Sequence, residues 1–290
     1  VQSLPTTGAA TIRLTATCDL GCPACPVTDA EGPVATQGDL DARLVEARED
    51  GVGELLLVAG DEAISGGAVA HALRRARDLG FQSVTLRTHG GALARTGALS
   101  GLRAAGLGDV ELVLPAVSPR THDALCPTPG AMAGVGGALQ AVASAGGLRV
   151  VVPLLRGVLP RLRKVVDKVA DLAPDSTLVL RYPSLALTPD GLVTDPLVPM
   201  EAASASVAQA LASVAMGRVE VEGLSTCALP TVLHPHVATH TPAHAPPPPC
   251  RSCALLAGCA TPSPRYQAAR GTGDLAPISP QASCDRSSVA

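Results

Sequence analysis

Three cysteines stand close together near the start of the chain, in the run C-D-L-G-C-P-A-C that spans Cys18, Cys22 and Cys25. Thiolates are soft ligands that favour iron–sulfur clusters or zinc over harder cations. At spacings of four and three residues they can hold three irons of a [4Fe–4S] cluster and leave the fourth iron open to a substrate or cofactor. A structural zinc site wants four protein ligands, commonly in paired C-x2-C units, and no fourth cysteine lies nearby. A second set, Cys250, Cys253 and Cys259, stands near the other end, with Cys227 upstream and Cys284 downstream as rival fourth ligands. Four cysteines there would close a cluster, although four are also a common zinc shell.

The elements that must position these thiols follow from composition and pattern. The chain has 290 residues, 47% hydrophobic and 16% charged, enough for one large domain or one domain plus a small one. Its only aromatics are Phe81, Tyr182 and Tyr266, so the core must be aliphatic. The net charge is −3 and no long basic run occurs, which argues against an electrostatic nucleic-acid binder. Nine cysteines clustered at the ends of a core-forming chain fit metal ligation in a reducing compartment better than a disulfide framework. No basic segment followed by an apolar run opens the sequence, and a cytoplasmic location is expected. The Gly- and Ala-rich stretch 130–147 carries Gln140 and reads as an ordinary helix, not a membrane span.

Apolar, β-rich runs recur at 10–16, 54–59, 82–88, 109–116, 148–155 and 176–181. Helical stretches follow at 38–49, 68–79, 93–105, 132–145, 161–172 and 201–216. Alternation of this kind predicts an α/β fold with a parallel sheet, a partial (β/α)6 TIM-like barrel, with chemistry on loops after the strands. The first three cysteines follow the first strand. Beyond residue 220 the pattern breaks into Pro- and His-rich sequence, and a small C-terminal module ordered by metal is expected. The expected division is therefore 1–220 and 221–290. His234, His236, His240 and His244 sit among prolines at irregular spacing and read as loop residues. Cys126 reads as a small buried side chain.

C-x3-C-x2-C after the first strand of a partial barrel resembles the radical S-adenosylmethionine (SAM) superfamily. Ala59-Gly60-Asp61-Glu62 stands where the family has a Gly-Gly-Glu-Pro-like motif, and Thr88-His89-Gly90 where relatives often read Thr-Asn-Gly. His122-Asp123-Ala124-Leu125 with Pro129-Gly130 resembles a segment after the fourth strand of peptide-modifying members. C-R-S-C-A-L-L-A-G-C, then Tyr266 and Gly273-Asp274-Leu275-Ala276-Pro277, resembles the SPASM and twitch auxiliary-cluster modules. The sequence departs from the family at Ala24, usually aromatic, and at Asp61, one methylene shorter than the usual Glu.

The resemblance implies that Cys18, Cys22 and Cys25 hold a SAM-binding [4Fe–4S] cluster. It assigns SAM contacts to Ala59, Gly60, Asp61, Glu62 and His89. Cys227, Cys250, Cys253 and Cys259 would hold one auxiliary [4Fe–4S] cluster. Reductive cleavage of SAM would give a 5′-deoxyadenosyl radical that abstracts hydrogen from a peptide or protein, with a flavodoxin or ferredoxin as reductant. A radical SAM dehydrogenase of a small molecule and a non-catalytic iron–sulfur or zinc protein on the same scaffold are the rival readings. Arg181 and Tyr182, at the end of the sixth strand, are candidates to face the substrate.

Overall fold

The computed structural model describes residues 9–15, 34–36, 38–126, 128–182, 198–212, 214, 217–238 and 245–278. The strands are β1 (Ala10–Arg13), β2 (Glu54–Val58), β3 (Ser83–Thr88), β4 (Asp109–Val113), β5 (Leu148–Pro153), β6 (Thr177–Arg181) and β7 (Arg218–Glu222). All neighbours pair in parallel, and their order in the sheet is their order in the chain. The fold is thus α/β, with a seven-stranded parallel sheet. The six expected strands are all present. The seventh was not foreseen, because Arg218-Val219-Glu220-Val221-Glu222 alternates charge with valine and lacks the apolar run of a strand buried on both faces. The division expected at 220/221 falls inside this strand.

The helices are α1 (Leu40–Glu49), α2 (Asp61–Ser65), α3 (Ala68–Asp78), α4 (Ala98–Ala105), α5 (Pro119–Leu125), α6 (Ala131–Ala145), α7 (Leu162–Leu172), α8 (Met200–Leu211) and α9 (Pro264–Arg270). Right-handed crossovers between successive neighbours, with no reversal of order, put the connecting helices on one face of the sheet. That face is lined by Leu55, Leu57, Val84, Leu86, Val110, Leu112, Val150, Val152, Leu178 and Leu180, all nearly inaccessible to solvent. Burying each such side chain stabilises the fold by about 1.5–3 kcal/mol. Alternate residues point to the other face, where Arg87, Glu111 and Arg149 share one row of the strand register.

Local signals explain the helix boundaries. The two Ser-Pro-Arg triplets both open helices, with Ser118 Oγ accepting from the Thr121 N–H and Ser263 Oγ from the Tyr266 N–H. The helix expected over 93–105 is divided: a 3-10 turn covers Gly91–Ala94, Arg95 is extended, and α4 starts at Ala98. The small residues of α6 serve close packing. A Cβ on Gly137 would lie 2.9 Å from the Ala94 Cβ, and one on Gly134 3.2 Å from the Gly91 Cα. Among the described residues no helix is long and apolar enough to cross a membrane.

Candidate active site and cysteine centre

The carboxyl ends of β1, β2 and β3 converge on one turn. Leu14 N–H continues the ladder to the Val58 carbonyl at 2.8 Å, and the buried Thr15 hydroxyl accepts from the Gly60 N–H at 3.0 Å. Ala59 is fully buried and its N–H donates to the Arg87 carbonyl at 3.1 Å. Gly60 is extended and precedes α2, whose first residue is Asp61 and whose second, Glu62, is exposed. From the end of β3, His89 reaches back so that its Nε2 lies 3.1 Å from Asp61 Oδ2. The sequence-derived SAM-contact residues 59–62 and 89 are therefore brought together.

Burial works against ionisation of Asp61. The His89 hydrogen bond, the Ala92 backbone and the charges of His89 and Arg95 outweigh it and hold the carboxyl below its usual range. Its second oxygen, Oδ1, is buried and has no hydrogen-bond partner among the described residues. A buried carboxylate oxygen without a donor is costly, and a hydrogen-bond donor is what it lacks. Gly90 has φ +85°, a left-handed conformation, and a Cβ there would come within 2.6 Å of Leu112. At Gly91 a Cβ would collide with Asp61 Oδ2. The Thr-His-Gly-Gly sequence thus leaves room for the Asp61–His89 pair.

A second histidine faces the same region from α5. His122 is 1% exposed, and its Nδ1 lies 3.5 Å from Asp123 Oδ1, too far for a hydrogen bond. Burial holds its pKa down, partly opposed by Asp123 and reinforced by the positive charge of nearby His89. Asp123 is committed elsewhere: it accepts from the Gly130 N–H at 3.0 Å and the Met132 N–H at 3.4 Å, capping α6. The sequence marked His122 only as part of a motif. Its proximity to His89 arises because β3 and β4 are neighbours in the sheet.

The helix-free face carries a closed ion-pair network. Glu111, nearly inaccessible, receives Arg87 Nε at 2.5 Å and Arg181 Nη1 at 2.7 Å, and Arg181 Nε also binds Glu222 at 2.6 Å. Arg149 makes a two-pronged contact with Glu220 at 3.2 and 2.7 Å. Burial opposes the Glu111 charge, but the two arginines bring its pKa to about 2, while Arg181 is pushed upward. Arg181 is thus engaged in holding the sheet. Tyr182 is engaged too, its hydroxyl donating to the Val198 carbonyl at 2.5 Å.

Beyond β7 the cysteines gather. Cys227 lies in the 3-10 turn Thr226–Ala228, Cys250 in the turn Pro248–Ser252, and Cys259 directly after the turn Leu256–Gly258. Cys126, Cys227, Cys250, Cys253 and Cys259 are free thiols; Cys250 and Cys259 are buried, Cys227 and Cys253 half-buried. Burial pushes the Cys250 thiol up, and Cys227, Cys259 and Cys253 add to it. Cys227 is pushed up by burial and by Cys259 and Cys253, against a hydrogen bond with the Ala276 backbone. The four sulfurs are therefore within electrostatic reach of one another, with Cys227 among them. Among the described residues no group of three or more His, Cys, Asp or Glu side chains is found that could hold a metal ion.

Polar contacts seat this segment on the sheet. Ser225 Oγ donates to the Ala260 carbonyl at 2.9 Å, and the Ala254 N–H to the Ile278 carbonyl at 2.9 Å. Tyr266 accepts from the Met200 N–H at 3.0 Å, donates to Asp274, and meets Tyr182 edge-on at 6.0 Å. Burial and Asp274 push the Tyr266 pKa up to about 12. His234 and His236, expected in a loop, lie instead in the 3-10 turn Thr231–His236, with ring nitrogens on the carbonyls of Leu229 and Val219. Cys126 is buried at the end of α5, as expected. Cys18, Cys22, Cys25, Cys284, His240 and His244 lie outside the described residues. Scanned against models of known protein families the chain matches none, and a search of curated proteins finds no match.

Proposed function

We propose that this chain is a radical SAM enzyme on a partial barrel, with an auxiliary [4Fe–4S] cluster in its C-terminal module and a peptide or protein as substrate. One observation carries the reading: Asp61, at the end of β2, holds His89 with one oxygen and keeps the other buried without a donor. An α-ammonium group is a donor of the required charge, and the family's SAM presents one at this position. Thr15, hydrogen-bonded to Gly60, precedes Cys18 in the sequence by three residues.

Cys18, Cys22 and Cys25 would hold the SAM-binding cluster. Asp61 would take the ammonium, aided by the backbone at Ala59 and Gly60 and by Glu62. His89 orients Asp61 and, with the buried Thr88, shapes the turn. The cluster and SAM together supply a 5′-deoxyadenosyl radical for hydrogen abstraction. The parallel strand order, with helices on one face, supports a barrel-like curl around the Arg87–Glu111–Arg181 network.

The donor set of the C-terminal module, four thiols, has the chemistry that a [4Fe–4S] cube takes, one thiolate per iron. Four thiolates on one zinc ion stand about 4 Å apart, whereas a cube takes one thiolate per iron and spreads them more widely. Cys227 would be the fourth ligand, as the resemblance implies, and its charge acts on Cys250.

The deciding experiment is anaerobic reconstitution with iron and sulfide, followed by dithionite and SAM. The expected product is 5′-deoxyadenosine, absent in Cys22→Ala. No 5′-deoxyadenosine from protein with its full iron content would turn the reading toward a non-catalytic iron–sulfur protein, whose Asp61 is already satisfied in part by His89.

A further inference from the structure

The stretch 272–278 runs alongside the C-terminal thiols and is fixed along its length. A turn closed by the Leu275 N–H on the Thr272 carbonyl at 3.2 Å carries Asp274, which accepts from the Tyr266 hydroxyl. Two residues on, the Ala276 backbone bonds the Cys227 sulfur; the contact favours the thiolate, so the N–H is the donor. Further along, the Ile278 carbonyl accepts at 2.9 Å from the N–H of Ala254, the residue after Cys253. This strap therefore touches both the Cys227 turn and the chain beside Cys253. Its anchor is Tyr266, which is 1% exposed and whose oxygen also accepts from the Met200 N–H at the start of α8. Asp274 depends on that hydroxyl, because its other oxygen, Oδ1, is buried with no hydrogen-bond partner among the described residues. A buried carboxylate stripped of its remaining donor would be costly, so the strap stays where the tyrosine holds it.

We propose that Tyr266 and Asp274 are positioning residues for electron uptake at the thiols: their hydrogen bond holds the strap so that the Ala276 N–H rests on Cys227, and this contact sets how readily a cluster bound there is reduced. The inference rests on the iron–sulfur reading of Cys227, Cys250, Cys253 and Cys259. Reduction adds negative charge to a cluster and its thiolates. An N–H aimed at a ligand sulfur stabilises that charge and raises the reduction potential. The Tyr266 hydroxyl touches no thiol. It acts through Asp274 and the backbone that follows.

The test uses the full chain with Cys18, Cys22 and Cys25 replaced by alanine, reconstituted with iron and sulfide, so that a cluster formed belongs to the C-terminal thiols. Its midpoint potential is read by redox titration followed by electron paramagnetic resonance. Tyr266→Phe keeps the ring and removes the hydroxyl. The midpoint should move negative, with the reduced-to-oxidised ratio at a fixed potential falling about threefold or more. Ala276→Pro removes the N–H itself and should shift the midpoint the same way, and adding Tyr266→Phe to it should shift it no further. Ser263→Ala removes the cap of α9 without touching the strap; it should lower thermal stability and leave the midpoint in place. An unmoved midpoint in Tyr266→Phe overturns the inference, as do additive shifts in the double variant or an equal shift in Ser263→Ala. A second readout needs no cluster. In the iron-free chain, hydrogen exchange at the Ala276 amide should be faster in Tyr266→Phe than in the parent and unchanged in Ser263→Ala, and equal exchange in Tyr266→Phe and parent overturns the positioning role. If the reconstituted parent holds no cluster on these thiols, the iron–sulfur reading falls and the inference with it. A cluster whose midpoint ignores Tyr266→Phe sinks the inference alone.

Discussion

At the residue scale, two carboxylates in arginine- or histidine-lined surroundings have different duties. Glu111 has both oxygens engaged and serves the sheet. Removing it leaves Arg87 and Arg181 facing each other, so Glu111→Ala should lower unfolding free energy by about 3–5 kcal/mol in urea titrations. The same group makes stability depend on pH. Its folded pKa of about 2 lies below the ordinary 4.5, so its contribution is complete above pH 4.5 and is lost as pH falls toward 2. Acid titration of wild type and Glu111→Gln should show the wild type losing more stability across that window. Asp61 has one oxygen left over. Asp61→Asn should leave cluster absorbance intact and reduce 5′-deoxyadenosine formation by tenfold or more, about the worth of one charge-assisted hydrogen bond. The sequence singled out Asp61, Glu62 and His89 from the motif resemblance. It offered Arg181 and Tyr182 as candidates to face the substrate; pairing across β4, β6 and β7 and the Val198 carbonyl engage both. Such pairings join residues up to 70 positions apart and leave no local sign.

At the element scale, the site depends on how tightly α6 sits on the Gly91–Ala94 turn. Gly137→Leu would force this contact apart, and overpacking of this kind costs about 1–3 kcal/mol. The turn supplies the Ala92 backbone contact to Asp61 and follows directly on His89. SAM affinity, measured by titration of the reconstituted protein, should therefore fall along with thermal stability. Gly136 has nothing near its missing Cβ, so Gly136→Ala should leave both unchanged or raise stability slightly. From sequence, this glycine-rich stretch reads as an ordinary helix. The reason for its glycines is an approach between two backbones, which no period in the helix reports.

At the scale of the whole molecule, the C-terminal segment packs against the end of the sheet, where Tyr266 meets Tyr182 edge-on. Cys227 follows β7, while Cys250, Cys253 and Cys259 belong to the later segment, so a shared cluster would link them. Chelation of iron should raise amide hydrogen exchange across 245–278 while leaving β2–β6 protected; equal exchange with and without iron would contradict the link. The sequence by itself determined the α/β class, six of the seven strands and the thiol-rich ends. Aliphatic runs and ligand spacings are local quantities, carried by neighbouring residues. Tertiary structure alone decided that β7 completes the sheet and that His122 comes within reach of the charge of His89. Those are meetings between segments remote along the chain, and they exist only once parallel pairing has brought the strand ends to one edge.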